Sequence, residues 1–343
     1  LPSGLSEGRC GHDNWYSKIR WLRKGKNLMK ITKEQLKQDI KNIKPNLTDN
    51  SLNKYVKDIF NIYNKYTGEK EQDIIKDIEI FKEVDNIDTL ISSLAISTQR
   101  NFYTAIHTLF KSQSENEDNL KYVDIYGKKL SELNIKQKQA YDNNEISEKT
   151  KEKLDIGFQP LVDFITQLNK DKEYQTALML ALITKYLFRN EIATLKTIQI
   201  KEYNKLKSDG LRDNYIVLSY AGRPLFISRG IYKTSKKYGI IKTKMKDKFI
   251  NSVFQKHYET MTDNIVFKDA YGNQMNTKSL SKKINRITEK GLGVPLGTSS
   301  INKLAIEEIN KNPQALKKLK KLSEDRGTSI NVLLSAYFNN YEK

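Results

Sequence analysis

The chain has 343 residues, 60 of them lysine or arginine against 41 aspartate or glutamate, for a formal net charge of +19. That length suits two domains, each able to bury its own core, and that charge suits a polyanionic partner, nucleic acid before an anionic membrane. The single cysteine, Cys10, excludes an internal disulfide framework and cysteine-based zinc clusters, the three scattered histidines (His12, His107 and His257) offer no metal-ligand spacing, and no apolar run approaches the roughly 18–20 residues of a membrane span. A soluble intracellular protein using neither metal nor cofactor is the expectation, with the reservation that a lysine- and asparagine-rich composition also reflects an AT-rich genome.

Residues 1–28 are rich in glycine and arginine and sustain no helical period; they read as a poorly ordered N-terminal extension or fragment. Thr32-Lys33-Glu34-Gln35 fits a capping box, and Leu36, Ile40 and Ile43 share the face of the helix it opens. Leu52, Tyr55, Val56, Ile59, Phe60 and Tyr63 come after a cap region at Asp49-Asn50-Ser51 with helical spacing. A third helix, from Ser97 or Thr98, turns Phe102, Ile106, Leu109 and Phe110 inward and puts lysines and Arg100 on its other faces. Residues 29–135 therefore read as a small all-helical domain with a basic surface and an aromatic core. The polar stretch 136–152, with Asp142-Asn143-Asn144 inside it, reads as a linker.

In the remainder, 153–343, a helix from about Glu152 to Leu168 carries Leu154, Phe158, Leu161, Phe164 and Ile165, and a buried helix near 172–188 holds the most apolar run of the chain, 177–183. Arg189 comes directly after it. A cation fixed at the edge of a core can hold a phosphate through its planar fork; the plainer reading is a helix-end cap. Tyr215-Ile216-Val217-Leu218 and Leu225-Phe226-Ile227, separated by Ala221-Gly222, form a hairpin, and a turn at 234–238 leads to Ile240-Ile241-Lys242-Thr243, giving a three-stranded antiparallel meander. From Arg223 to Lys248 there are nine basic residues and one acidic one, Asp247. Arg223, Arg229, Lys236, Lys237, Lys242 and Lys244, with Arg100 from the first domain, are the candidate DNA-backbone contacts; a solvated sheet edge kept soluble by lysine is the alternative. Further helices lie at 246–260 and 276–290, joined through Ile265-Val266-Phe267 and the turn Tyr271-Gly272-Asn273. The glycine-rich stretch 291–297 lacks the Gly-Lys-Ser/Thr of a phosphate loop. Short helices at 299–310, 313–324 and 329–341 finish the chain, the last with Ile330, Leu333, Leu334, Tyr337, Phe338 and Tyr341 on one stripe. The fold class expected is mainly α with a small antiparallel β-meander, an α+β arrangement.

Three pieces of this order carry a resemblance: Phe188-Arg189-Asn190-Glu191-Ile192-Ala193-Thr194-Leu195-Lys196, then Ile231-Tyr232-Lys233-Thr234-Ser235-Lys236-Lys237-Tyr238-Gly239, then Arg326-Gly327-Thr328-Ser329 with Tyr337 nine residues after Thr328. Over roughly residues 30–343 the chain resembles the tyrosine recombinase/integrase superfamily, most closely the integrases of eukaryotic large DNA viruses, virophages and related mobile elements. The resemblance implies a helical core-binding domain over 29–135 and a recombinase-type catalytic domain over 153–343. It implies duplex DNA as partner, in the nucleus, the cytoplasm or a viral factory, a homotetramer on paired sites, and cutting and rejoining through a 3′-phosphotyrosyl link without metal. Tyr337 would be the nucleophile, Arg189 a phosphate clamp, Lys233 the general acid for the departing 5′ oxygen, and Glu191 an orienting group.

The chain departs from the family pattern at three positions. Asn302 stands where the second arginine is expected and Ser299 where a histidine is; Lys303 offers a charge one residue on, as a point charge and not a fork. Thr328 replaces the late histidine. Each lost donor costs about 2.7–4 kcal/mol of barrier. Two readings therefore stay open, an integrase or site-specific recombinase with an impaired site, and a catalytically inactive, recombinase-derived DNA-binding or architectural protein. A second resemblance, of residues 316–341 to the two-helix part of ribbon-helix-helix proteins, would make Gly327-Thr328-Ser329 a turn and helix cap.

Overall fold

The computed structural model describes residues 30–69, 73–143, 145, 147–206, 210–311, 315–330, 332 and 333. The extension expected over 1–28 and the nucleophile expected at Tyr337 lie outside the described residues. The chain divides after Gln139 into two compact units.

In the first unit, β1 (Ile31–Thr32) pairs antiparallel with β2 (Ile74–Ile75), so the all-helical expectation is corrected by a two-stranded ribbon. Thr32 accepts from the Gln35 amide at 3.1 Å and opens α1 (Lys33–Ile43). α2 (Asp49–Thr67) is capped by Thr48, one residue before the expected cap region, and ends at Gly68, whose φ of 71° is the left-handed turn glycine allows. α3 (Val84–Ile91), α4 (Ile96–Ser112) and α5 (Glu117–Asp142) complete the unit. Leu36, Ile40, Ile59, Phe81, Ile106 and Phe110 are fully enclosed. The Tyr126 hydroxyl donates to the Phe81 carbonyl at 2.6 Å, giving its polar tip a partner inside that core. The stretch 136–152, expected as a linker, is helical at both ends: α5 runs on to Asp142, and α6 (Glu148–Leu154) starts six residues later.

The second unit is built around α8 (Tyr174–Tyr186), of which every residue from 176 to 183 is buried. A helix apolar on all sides has to sit inside. α7 (Phe158–Lys170), α11 (Lys248–Thr260), α13 (Thr298–Asn310) and α14 (Ala315–Arg326) pack on it. α12 (Thr277–Leu292) opens with a full capping box between Asn276 and Ser279. The sheet has four strands in the order β3 (Lys196–Gln199), β4 (Asn214–Leu218), β5 (Pro224–Arg229), β6 (Ile241–Lys244). The meander β4–β5–β6 is antiparallel as expected. β3 was not expected: it lies parallel to β4, Lys196 opposite Tyr215 and Gln199 opposite Leu218, with the short helix α9 (Ile200–Tyr203) in the crossover. A second short helix, α10 (Ser235–Tyr238), occupies the expected turn before β6.

Strand alternation sorts the sheet's side chains. Ile216, Leu218 and Ile227 join the core around α8, whereas Tyr203, Tyr215, Val217 and Phe226 form a small cluster of their own. On β5, Arg229 shares the parity of Ile227 and is wholly buried.

Candidate functional site

The strand that ends in Arg229 meets the segment that leaves α8, and the candidate site is built at that junction. α8 stops at Tyr186; Leu187 adopts φ 54°, left-handed for a branched residue, and is completely buried. Such a conformation costs about 1–2 kcal/mol and persists because packing fixes it, here against Ala305, Ile306, Ile309 and Leu319. Two polar side chains of α13 also hold this segment. Asn302 donates to the Leu187 carbonyl at 3.5 Å, and the Thr298 hydroxyl donates to the Asn190 side-chain oxygen. Between these ties the backbone of Arg189 is extended, and a 3₁₀ turn, Asn190–Thr194, comes next. Arg189 itself is half-buried, and its Nη1 is enclosed with no hydrogen-bond partner among the described residues.

Arg229 supports the junction from below. Its Nη1 donates to Glu191 Oε1 at 3.1 Å, its Nη2 donates to the Asp325 carbonyl, and its guanidinium lies 4.2 Å from the Phe188 ring centroid and 5.2 Å from that of Tyr232. Burial lowers its pKa, and the nearby Arg189 charge acts in the same direction; the Glu191 carboxylate opposes both. Burial likewise raises the Asp325 carboxyl and the Tyr232 hydroxyl above their usual values. Glu191, expected as an orienting group, is therefore the counter-ion of Arg229.

Asn214, at the start of β4 and buried, joins the arginine segment to the lysine loop. Its amide nitrogen donates to the Glu191 carbonyl (3.2 Å), the Thr194 hydroxyl (2.9 Å) and the Ile231 carbonyl (2.9 Å), and its oxygen accepts from the amides of Gly230 (3.1 Å) and Ile231 (3.0 Å). Gly230 runs so close to Arg212 that an added Cβ would stand 2.2 Å from that residue's carbonyl oxygen. Lys233 then projects from this loop into solvent.

The C-terminal stretch reaches the same loop. The Thr234 hydroxyl donates to the Gly327 carbonyl at 2.5 Å, 93 residues further along. Gly327, at φ 68°, lies flat on Tyr232. Asp325 also accepts from the Thr243 hydroxyl at 3.5 Å, and Thr328, half-buried, donates its amide to the Ser323 carbonyl. The Ser329 hydroxyl accepts the Val332 amide at 3.3 Å, so the Gly-Thr-Ser turn caps the helical segment that Ser329 opens.

Of the residues singled out from sequence, Arg189 and Asn302 are drawn to the Leu187 turn, and the loops holding Lys233 and Thr328 are tied to each other. Asn302 is fully buried against backbone and Lys303 is half-buried, where desolvation lowers its pKa. Arg223, Lys236, Lys237, Lys242 and Lys244 are exposed, and Lys242 lies over the Tyr203 and Phe226 rings. Arg229 was expected on that surface and is not there; with no exposure at all it cannot touch a DNA backbone, because the alternation of β5 turns it to the core side. Arg100 belongs to the first unit, half-buried and donating to the Gln137 side chain. Asn214, Asp325 and Thr298 are the residues sequence reasoning missed. A polar residue opening an apolar strand was the only mark of Asn214.

No family model matches the chain, and no curated protein does. Among solved structures the chain is similar to the crystal structure of XerA recombinase, at 10% identity and a TM-score of 0.36, over 90% of this chain and 94% of that one. It is also similar to XerH site-specific recombinase bound to its difH substrate in a pre-cleavage complex, at 17% identity and a TM-score of 0.46, over 97% of this chain and 88% of that one.

Proposed function

We propose that the second unit acts on duplex DNA in the manner of a site-specific tyrosine recombinase, with one phosphate held at Arg189. The observation that carries this reading is the enclosed, unpartnered Nη1 of Arg189, at the place where the post-α8 segment, the lysine loop and the Asp325–Gly327 turn are stitched together. An unmet guanidinium donor at a fixed position suits a phosphate oxygen. Eight of the nine basic residues from Arg223 to Lys248 are exposed and supply the field that draws in a polyanion.

The chemistry assigned to these residues is a transfer between oxygens. The Tyr337 phenolate oxygen bonds to phosphorus, the bond from phosphorus to the 5′ oxygen breaks, and Lys233 gives that oxygen its proton. The reverse steps rejoin the strand, which keeps the bond energy. Assembly as a tetramer on paired sites belongs to the same reading.

The second reading, a DNA binder that no longer exchanges strands, is favoured by Asn302. Its amide is enclosed and engaged with the Leu187 carbonyl, so nothing at that position reaches a phosphate. One test separates the two. The protein is incubated with nicked duplexes and resolved under denaturing conditions. A covalent adduct that disappears in Tyr337→Phe supports recombination; salt-sensitive binding with no adduct supports the second reading; no binding to DNA of any sequence defeats both.

A further inference from the structure

Thr234 stands directly after Lys233 and at the N-cap of α10, where a threonine hydroxyl ordinarily accepts a backbone amide of the first helical turn. Here the hydroxyl caps nothing and donates instead to the Gly327 carbonyl at 2.5 Å. On the other side of Lys233, the Tyr232 ring lies against the same glycine: a Cβ on Gly327 would stand 2.6 Å from Tyr232 Cε2 and 2.9 Å from Ile241 Cδ1. The Tyr232 hydroxyl donates to the Gly239 carbonyl at 2.7 Å and closes the loop on itself. Tyr232 is buried, Lys233 exposed and Thr234 half-buried, so both neighbours of the lysine are held against the protein while the lysine reaches out. Among the described residues no carboxylate lies at ion-pair distance from the Lys233 ammonium. A lysine is a point charge on a flexible four-carbon stem, and with no such partner the origin of that stem is fixed by the backbone on either side.

We infer that Thr234 is a positioning residue for Lys233, setting the lysine for proton transfer through its hold on the Gly327 carbonyl. The inference rests on the recombinase reading above and adds to it the device that aims the proton donor. In that reading the Tyr337 oxygen bonds to phosphorus, the bond from phosphorus to the 5′ oxygen breaks, and the Lys233 ammonium passes one proton to that oxygen and is left a neutral amine. A donor has to come within about 2.6–3.2 Å of the atom it protonates, and a misplacement of about 1 Å costs on the order of 10²-fold. Without the Thr234 hydroxyl the loop keeps Tyr232 on Gly327 but loses its hold on the C-terminal side of the lysine. Gly327 belongs to the stretch that leads to Tyr337, so this one hydrogen bond ties the loop of the proton donor to the chain that carries the nucleophile.

The test uses the full chain and a nicked duplex that the wild-type protein selects from a randomised pool, made with either oxygen or sulfur at the 5′ bridging position of the scissile phosphate. A thiolate leaves without needing a proton, so the sulfur duplex reads nucleophilic attack alone. Thr234→Val is expected to form the covalent adduct about 10²-fold more slowly on the oxygen duplex, at the wild-type rate on the sulfur duplex, and with wild-type affinity for both. Thr234→Ser, which keeps the hydroxyl, is expected to restore the rate on the oxygen duplex. Added to Lys233→Ala, Thr234→Val is expected to slow the oxygen duplex no further, because its effect passes through the lysine. Should Thr234→Val fail to fold, Thr234→Ala removes the hydroxyl with less bulk and carries the same comparison. Equal slowing on both duplexes, or none on either, overturns this inference and leaves the proposed function standing. A wild-type protein that forms an adduct on neither duplex overturns both.

Discussion

Glu191 and Arg229 meet at 3.1 Å with the arginine wholly inside the protein and the carboxylate almost so. Removing one partner of a buried pair strands the other charge, at a cost of about 3–5 kcal/mol. Glu191→Ala and Arg229→Ala are each expected to destabilise the second unit by that amount in chemical denaturation. Glu191→Leu/Arg229→Met should recover more than half of the loss. Equal losses in the single and double variants would mean that the pair is not what the charge is for.

Asn214 satisfies two amides and two carbonyls at once, and so ties the arginine segment to the lysine loop. Asn214→Leu keeps the volume and leaves those groups dry, so a destabilisation of at least about 3 kcal/mol is expected. Asn214→Asp loses only the donor half and should fall between. Hydrogen exchange at the Gly230 and Ile231 amides gives the local readout: both become faster in either variant.

Two glycines separate backbone freedom from space. At Gly230 a Cβ would meet the backbone of Arg212, which cannot step aside; at Gly327 it would meet the Tyr232 ring edge at 2.6 Å on a left-handed residue. Gly327→Ala is expected to cost about 1–3 kcal/mol, and Gly230→Ala more than that. Thermal melts of the two variants check the order.

His257 is buried, its Nε2 2.7 Å from the Val266 carbonyl, and burial lowers its pKa below the usual imidazole value. Lys283 and Lys268 push in the same direction. A depressed folded-state pKa means that the neutral ring is favoured by folding. Its contribution is present above pH 6.5 or so and is lost as pH falls through the lower folded value. Stability of the second unit should therefore drop on acidification from about pH 6.5, and His257→Gln should be less stable at pH 7 but flatter over that range.

Exposed lysines and the buried arginine should part company in DNA binding. Lys236→Gln/Lys237→Gln is expected to leave stability unchanged and to reduce the slope of log affinity against log salt by up to about two. Arg229→Met should leave that slope unchanged at temperatures where the variant is folded. A reduced slope in the arginine variant would place it on the DNA surface after all.

Much of this fold was legible because its signals are periodic. The run at 177–183 is apolar on every side and became the central helix; the alternating runs at 215–218 and 225–227 became paired strands. β3 was missed since four residues, Lys196-Thr197-Ile198-Gln199, carry too little alternation, and its parallel partner lies beyond a crossover. The end of α5 was missed for the opposite reason: residues 136–142 are polar on nearly all sides, so helix formation leaves no burial pattern to read. At the candidate site, the arginine and lysine segments were singled out by type and order. What joins them was not, because a hydrogen bond from Asn214 or Thr234 spans tens of residues and leaves no spacing in the sequence. Arg229 shows the limit of counting charge: eight of its companions face water, and strand parity alone turned the ninth inward.

Among the described residues β6 is an edge strand of its sheet, and its two lysines, Lys242 and Lys244, stand exposed along it. An unpaired strand rim invites a neighbouring molecule to add a strand of its own, and charged side chains discourage this. Neutralising those positions to abolish contact with a polyanion would therefore also unguard the rim. A variant so made could drop out of solution for reasons unrelated to its ligand, so its monomer content has to be established before any loss of affinity is credited to missing phosphate contacts.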